Sequence, residues 1–247
     1  MAEFKIKIAG RVGAVSSLFE STRDYCRAYL TDEAPDFSVT VTRADLVFEQ
    51  SELDEEARQE GFRLRVFTDP FLERAAILRK FAEHLLGRGT LLFHGSGIAV
   101  DGEGFLFTAK SGTGKSTHTR LWRQVFGERA VMVNDDKPFL GISGEGVTMY
   151  GAPWSGKHGL DANVAVPLRG ICILERGTEN RIHPISPAEA LPRLLHESFC
   201  PEGHEARLHA LVDALVEGTP LWRMECNKDP QAAMVAWEAM SGQNEQK

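Results

Sequence analysis

The chain has 247 residues, enough for one large α/β domain or for a main domain with a small appendage. Its composition, 43% apolar and 26% charged, is ordinary for a globular protein. A formal net charge of −7 argues against a general binder of nucleic acid or of acidic membrane, because both call for a basic field. The N-terminal MAEFKIKIAG has no long apolar core or cleavage signal, and no run approaches the ~20 apolar residues of a membrane span. The expectation is a soluble, cytoplasmic protein. Cys26, Cys172, Cys200 and Cys226 stand far apart without metal-ligand or redox spacing, the pattern of buried, reduced thiols.

In chain order, Phe4 to Val15 alternates and predicts a strand. Ser16 to Leu30 has apolar residues near helical spacing and predicts a helix. Phe37 to Val41 is a short alternating strand. Thr42, three residues before Asp45, is a capping-box start for an acidic helix that ends near Gly61. Phe62 to Phe67 alternates again. Asp69-Pro70 opens another helix, with apolar positions running to Leu85 and a stop at Gly87. Residues 1–65 read as a small α+β lobe, without a clear linker to the rest of the chain.

Leu91 to Val100 predicts a strand, and Asp101-Gly102 a tight turn into the return strand Gly104 to Ala109. That strand delivers the chain into KSGTGKST. A helix is predicted over Lys115 to Phe126, with His118 and Arg120 on its surface and Trp122 in the core. Ala130 to Val133 is a strand that ends in Asn134-Asp135-Asp136. Further strands are predicted at 139–142, 147–150, 170–175, 181–185 and 221–225, and further helices after Ser186-Pro187, over 204–216 and over 230–240.

The glycine run carries the chemistry. A phosphate loop points successive backbone N–H groups at anionic oxygens, and the following helix adds the positive end of its dipole. Glycines are required where the chain takes positive φ or approaches the ligand closely. Ser111, Gly112, Thr113, Gly114, Lys115, Ser116 and Thr117 meet those demands, in the order strand, loop, helix. Lys115 would reach the β- and γ-phosphates, and the Ser116 hydroxyl would bind Mg²⁺. Ala109 occupies the place of the usual first glycine. Asp135 follows Lys115 by 20 residues, one helix and one turn, so a carboxylate pair falls beside the loop. One of the pair can hold Mg²⁺ and the other can accept a proton from an attacking hydroxyl. Asn-Asp-Asp-Lys-Pro is also good turn chemistry.

A second glycine-rich stretch, GAPWSGKHGL (residues 151–160), comes directly after a strand. It suits a loop that closes over a transferred group, with Lys157 stabilising the charge that develops there. Arg169 and Arg176 flank the strand at 170–175 and are candidates to touch nucleotide or acceptor. A guanine-specific Asn-Lys-x-Asp is not present, since Asn227-Lys228-Asp229-Pro230 puts proline at the fourth place.

His94-Gly95, the hairpin, SGTGKST and Asp135-Asp136 together resemble the catalytic domain of HPr kinase/phosphorylase, which shares its fold with phosphoenolpyruvate carboxykinases. The likeness covers residues 91–176. GAPWSGKHGLDANVAVPLRG is also similar to small stand-alone kinase-like members of that superfamily, some of which phosphorylate a peptide serine. The resemblance implies an α/β, mixed-sheet P-loop domain over residues 66–247, with ATP and Mg²⁺ as ligands. It implies that Asp135 is the base, that Asp136 and Ser116 hold Mg²⁺, and that His94 lines the pocket. It also implies a hydroxyl-bearing acceptor (peptide, protein or small molecule) and assembly as a homo-oligomer. The long arginine–glycine signature of the bifunctional enzyme is not recognisable here. Neither the phosphorylase half-reaction nor HPr as acceptor is therefore implied. The alternatives are a nucleotide-binding regulatory protein without transfer activity and a carboxykinase-like enzyme, the latter without a match to the carboxykinase's metal-ligand lysine and histidine.

Overall fold

The computed structural model describes residues 1–242. The chain divides into two compact units, Met1–Leu85 and Leu86–Lys247. The helix opened by Asp69-Pro70 therefore groups with the N-terminal unit, whereas the sequence pattern placed the end of that lobe at residue 65.

In the first unit, β1 (Ala2–Ile8) and β2 (Arg11–Ser17) form an antiparallel hairpin, and β3 (Phe37–Thr40) runs parallel to β2. The single strand expected over Phe4 to Val15 is thus two strands. Ala9 (φ 50°) and Gly10 (φ 73°) make a two-residue turn with both residues left-handed, which matches the twist of a hairpin. Alanine hides that turn in the sequence. The long helix expected over Ser16 to Leu30 is instead α1 (Glu20–Tyr25) followed by a 3-10 turn at Arg27–Tyr29. The buried Glu73 carboxylate accepts the N–H groups of Leu18 and Phe19 and the Thr22 hydroxyl.

Two longer helices complete the unit, α2 (Arg43–Glu60) and α3 (Asp69–Leu86). Helix α2 begins as expected, with the Thr42 N–H donating to Asp45 at 2.8 Å, and ends at Gly61 in the left-handed region (φ 72°). Residues 62–67 form no strand. The Gln50 amide occupies the place of a ladder partner, donating to Arg65 O and accepting from Phe67 N–H. Gly13 is required for packing, because a Cβ there would lie 2.3 Å from the ring of Phe81.

The second unit is built on a nine-stranded mixed sheet. Its path runs β4 (Thr90–Leu92), β8 (Phe139–Ser143), β9 (Gly146–Tyr150), β10 (Ala165–Arg176), β6 (Glu103–Thr108), β5 (Ser96–Val100) and β7 (Ala130–Asn134). Off that path, β12 (Leu221–Cys226) pairs with β10, and β11 (Arg181–Pro184) with β12. The hairpin between β5 and β6 forms as expected, with Asp101 (φ 53°) and Gly102 (φ 84°) at its turn. Strand β10 pairs antiparallel with β9 and parallel with both β6 and β12.

Helices cover both faces, so the central strands are apolar on both sides. Alternation along β10 assigns the faces. Ile171 and Ile173 join a core with α5 (Pro187–His196) and α6 (Glu205–Gly218). Cys172 and Leu174 join a second core with α4 (Lys115–Phe126) and α7 (Gln231–Met240). The bounds of α4 are those expected from the sequence. His118 is not on its surface, however, but 2% exposed beneath Phe107 and Trp122. The four thiols are free, yet only Cys26 and Cys172 are buried and Cys200 is exposed. Among the described residues no helix is long and apolar enough to cross a membrane.

Candidate active site

The glycine loop joins β6 to α4. Ala109 is 1% exposed and belongs to the core beneath α4, so its methyl group points into protein rather than at a ligand. Gly112 (φ 72°) and Gly114 (φ 128°) hold conformations that L-residues rarely adopt, and a Cβ on Gly112 would meet nothing within 4 Å. These glycines are present for their backbone angles rather than for room. No side chain caps α4. Its first bond runs from His118 N–H to Gly114 O at 2.9 Å, leaving the amides of Lys115, Ser116 and Thr117 directed beyond the helix end. Arg176, at the end of β10, braces the loop through Gly112 O (2.5 Å) and Thr113 O (3.5 Å).

Lys115 curls back so that its ammonium donates to Ala109 O at 3.2 Å. Burial lowers its pKa, while Glu197, Asp136 and Asp135 pull in the opposite direction. The lysine is therefore a partly desolvated cation surrounded by acids.

Asp135 comes directly after β7 and is 5% exposed. Its Oδ1 accepts from Ser96 Oγ at 2.9 Å, and Ser96 Oγ also lies 2.9 Å from Thr119 Oγ1 on α4. A hydroxyl pair thus ties the carboxylate to the helix of the glycine loop. Asp136 is half-buried, and its Oδ1 lies 3.5 Å from His94 Nε2. Asn134 organises the turn between strand and acids. Its Oδ1 accepts the N–H groups of Asp136 (2.9 Å) and Lys137 (2.6 Å), and its Nδ2 donates to Ala152 O (2.8 Å) and Trp154 O (3.2 Å).

That amide attaches the second glycine-rich loop to the acid pair. The same loop is held by Asp135 N–H to Leu160 O at 3.0 Å and by Ser155 Oγ to Asp161 at 2.6 Å. Its 3-10 turn at Gly156–His158 passes Asp136 so closely that a Cβ on Gly156 would lie 3.1 Å from the aspartate's Cβ. Lys157 rides on that turn and is exposed.

His94 lies where the expected strand over Leu91 to Val100 breaks. Phe93, His94 and Gly95 give their N–H groups to Pro138 O, Glu197 O and Asp136 O at 3.1, 2.7 and 2.9 Å. These bonds replace the ladder between β4 and β5 and turn His94 toward the acids. Its Nδ1 lies 2.8 Å from Glu197 Oε2. Glu197 Oε1 accepts from Arg193 at 2.9 Å. Burial raises the Glu197 pKa, but His94, Arg193 and Lys115 together outweigh it and hold the carboxyl below the usual range.

No protein-family model and no curated protein matches the sequence. Among solved structures, an Hpr(Ser) kinase/phosphatase from Coxiella burnetii is similar over 62% of this chain and 98% of its own, at 9% identity and a TM-score of 0.38. That is a distant likeness, and the functional reading rests on the geometry of the site itself.

The structure brings Lys115, Asp135, Asp136 and His94 into one cluster beside the loop Ser111 to Thr117, and carries Lys157 on the adjoining turn. Sequence reasoning missed Ser96, Thr119, Arg193 and Glu197 as members, and read Asn134 only as turn chemistry. Thr119 within α4 and Glu197 at the end of α5 have no motif, and only the folded topology brings them to the site. Asn134 alone carried a signal, an asparagine two residues before a second acid, where its side chain can accept the following amides.

Proposed function

We propose that this protein is an ATP- and Mg²⁺-dependent kinase that transfers the γ-phosphoryl group to a hydroxyl of a peptide, protein or small molecule. The observation that carries the reading is the meeting, at the start of α4, of first-turn amides that no side chain caps, the partly desolvated Lys115 and two carboxylates on a fixed turn.

In this reading the amides from Gly114 to Thr117 cradle the phosphates. Lys115 exchanges its bond to Ala109 O for phosphate oxygens. Asp135, oriented by Ser96, accepts the proton of the acceptor hydroxyl as that oxygen attacks in line. The Lys157 turn lies across Asp136 and supplies positive charge over the transferring group. Ser116 and Asp136 are hard oxygen donors that suit Mg²⁺. Among the described residues no group of three or more His, Cys, Asp or Glu is placed to hold a metal ion alone. That fits an ion which takes most of its ligands from phosphate oxygens and water. Magnesium, when bound, would neutralise charge on the phosphates.

The test is transfer of label from γ-labelled ATP into a panel of peptides and small hydroxyl compounds, together with calorimetric ATP binding. Lys115→Ala and Asp135→Asn are each expected to abolish transfer, with Asp135→Asn retaining most of the ATP affinity. Normal turnover by Asp135→Asn would remove the assigned base. Tight ATP binding without label transfer to any acceptor would leave a regulatory nucleotide binder instead.

A further inference from the structure

Glu197 enters the site from a different part of the chain than any motif residue. It caps the C-terminal end of α5, 103 positions after His94. Two separate bonds tie it to that histidine. The His94 N–H donates to Glu197 O at 2.7 Å, and His94 Nδ1 lies 2.8 Å from Glu197 Oε2. An adjacent bridge between Phe93 and Ser198 fixes the two segments side by side. The second carboxylate oxygen of Glu197 is taken by Arg193 at 2.9 Å.

The result is a graded row, Arg193–Glu197–His94–Asp136. The glutamate side chain is 5% exposed, while His94 is 40% exposed at the open end. A ring whose Nδ1 faces a buried carboxylate keeps a proton there and turns Nε2 outward, toward Asp136. Behind the ring the Glu197 carboxylate is 5% exposed, and its charge is also felt by Lys115.

Resting on the kinase reading, we propose that Glu197 is a positioning residue for phosphoryl transfer that acts through His94. It fixes one proton on Nδ1, which sets the plane of the ring and the direction in which Nε2 faces Asp136. Arg193 holds the glutamate in the one rotamer that reaches the ring. A purely structural role, tying α5 to the sheet, would also explain the contacts, and the variants separate the two.

In Glu197→Gln the carboxamide oxygen still accepts from Nδ1. In Glu197→Ala nothing does. Glu197→Ala is expected to lower kcat about 10–100-fold, the usual scale for loss of an orienting partner, with KM for ATP changed less than about 3-fold. Glu197→Gln is expected to recover kcat to within about 3-fold of the unsubstituted protein. In a His94→Asn background, Glu197→Ala should cost nothing more, because the two act as one unit. Glu197→Met, which keeps the volume, replaces Glu197→Ala should that variant not fold.

Long-range ¹H–¹⁵N imidazole spectra, with His94 assigned by its loss in His94→Asn, give a readout that needs no turnover. The unsubstituted protein and Glu197→Gln should show one tautomer protonated at Nδ1, and Glu197→Ala or Glu197→Met a mixture. Additive kinetic losses in the double variant, or a His94 spectrum indifferent to residue 197, would overturn the proposal. If the protein transfers no phosphate at all, the kinase reading fails. The proposed role in transfer falls with it, and the spectra then decide whether Glu197 sets the ring.

Discussion

Removing the Asn134 side chain is a direct trial of how the site is held together. The residue is fully buried, and its four hydrogen bonds span 2.6–3.2 Å, two to the amides just after it in the chain and two to carbonyls of the Gly151 loop. A buried hydrogen bond contributes about 1 kcal/mol net, and a buried partner left unsatisfied costs ~1–3 kcal/mol. Asn134→Ala loses all four bonds, and solvent can reach some of the stranded groups once the loop lifts. The expected loss is therefore about 3–5 kcal/mol, or roughly 6–20 °C in Tm for a unit of this size. All four tryptophans, Trp122, Trp154, Trp222 and Trp237, belong to Leu86–Lys247, so urea titration followed by tryptophan fluorescence reports on that unit alone. Transfer activity should fall further than stability, since the turn bearing Asp136 and the loop bearing Lys157 lose their common anchor. A loss below about 1 kcal/mol would mean that the other bonds hold the two loops without Asn134, contrary to the argument from burial.

Gly151→Ala should be at least as damaging, because its Cβ would lie 1.8 Å from Ala162 O and 2.8 Å from Val133 O; thermal unfolding checks this. Gly114→Ala forces an L-residue to φ 128°, a strain of about 1–3 kcal/mol that should lower Tm by roughly 2–12 °C and weaken ATP binding by at least 10-fold in calorimetry. Burial depresses the His118 pKa to about 3, below the ~6.5 of an unfolded histidine. The unfolded chain then binds the extra proton, so stability is lost as pH falls from about 6.5 toward 3, by about 2 kcal/mol at pH 5. His118→Gln keeps an acceptor for Trp122 and should flatten that slope in urea titrations run from pH 7 to 5. Arg176→Ala frees Gly112 O and Thr113 O and should raise KM for ATP about 3–10-fold without altering kcat, as steady-state kinetics would show.

Much of the second unit could be read from the sequence because local signals and tertiary demands agree there. Helix α4 starts after Gly114 and stops before Gly127, both glycines at positive φ, and Asp101-Gly102 does what that dipeptide favours. The misreadings occur where one long-range contact overrides a local pattern. Ala9 at φ 50° gives no warning of a turn. Alternation at residues 62–67 is met by the Gln50 side chain rather than by a strand. The run from Leu91 to Val100 is interrupted because Glu197 O, Asp136 O and Pro138 O capture three successive amides. The site obeys the same rule. Residues of the candidate site that lie within a motif were legible, and residues that hold those in place from α4, from the end of α5 or from the start of β5 were not.

Strand β10 bonds to β9 along its first residues, to β6 through its middle and to β12 along its last. Three neighbours must let go before its backbone meets solvent, so its amide protons should be the slowest of the sheet to exchange with deuterium. Arg176 stands at the end of that strand and grips the glycine loop. The glycine loop is thereby moored to the segment least able to breathe.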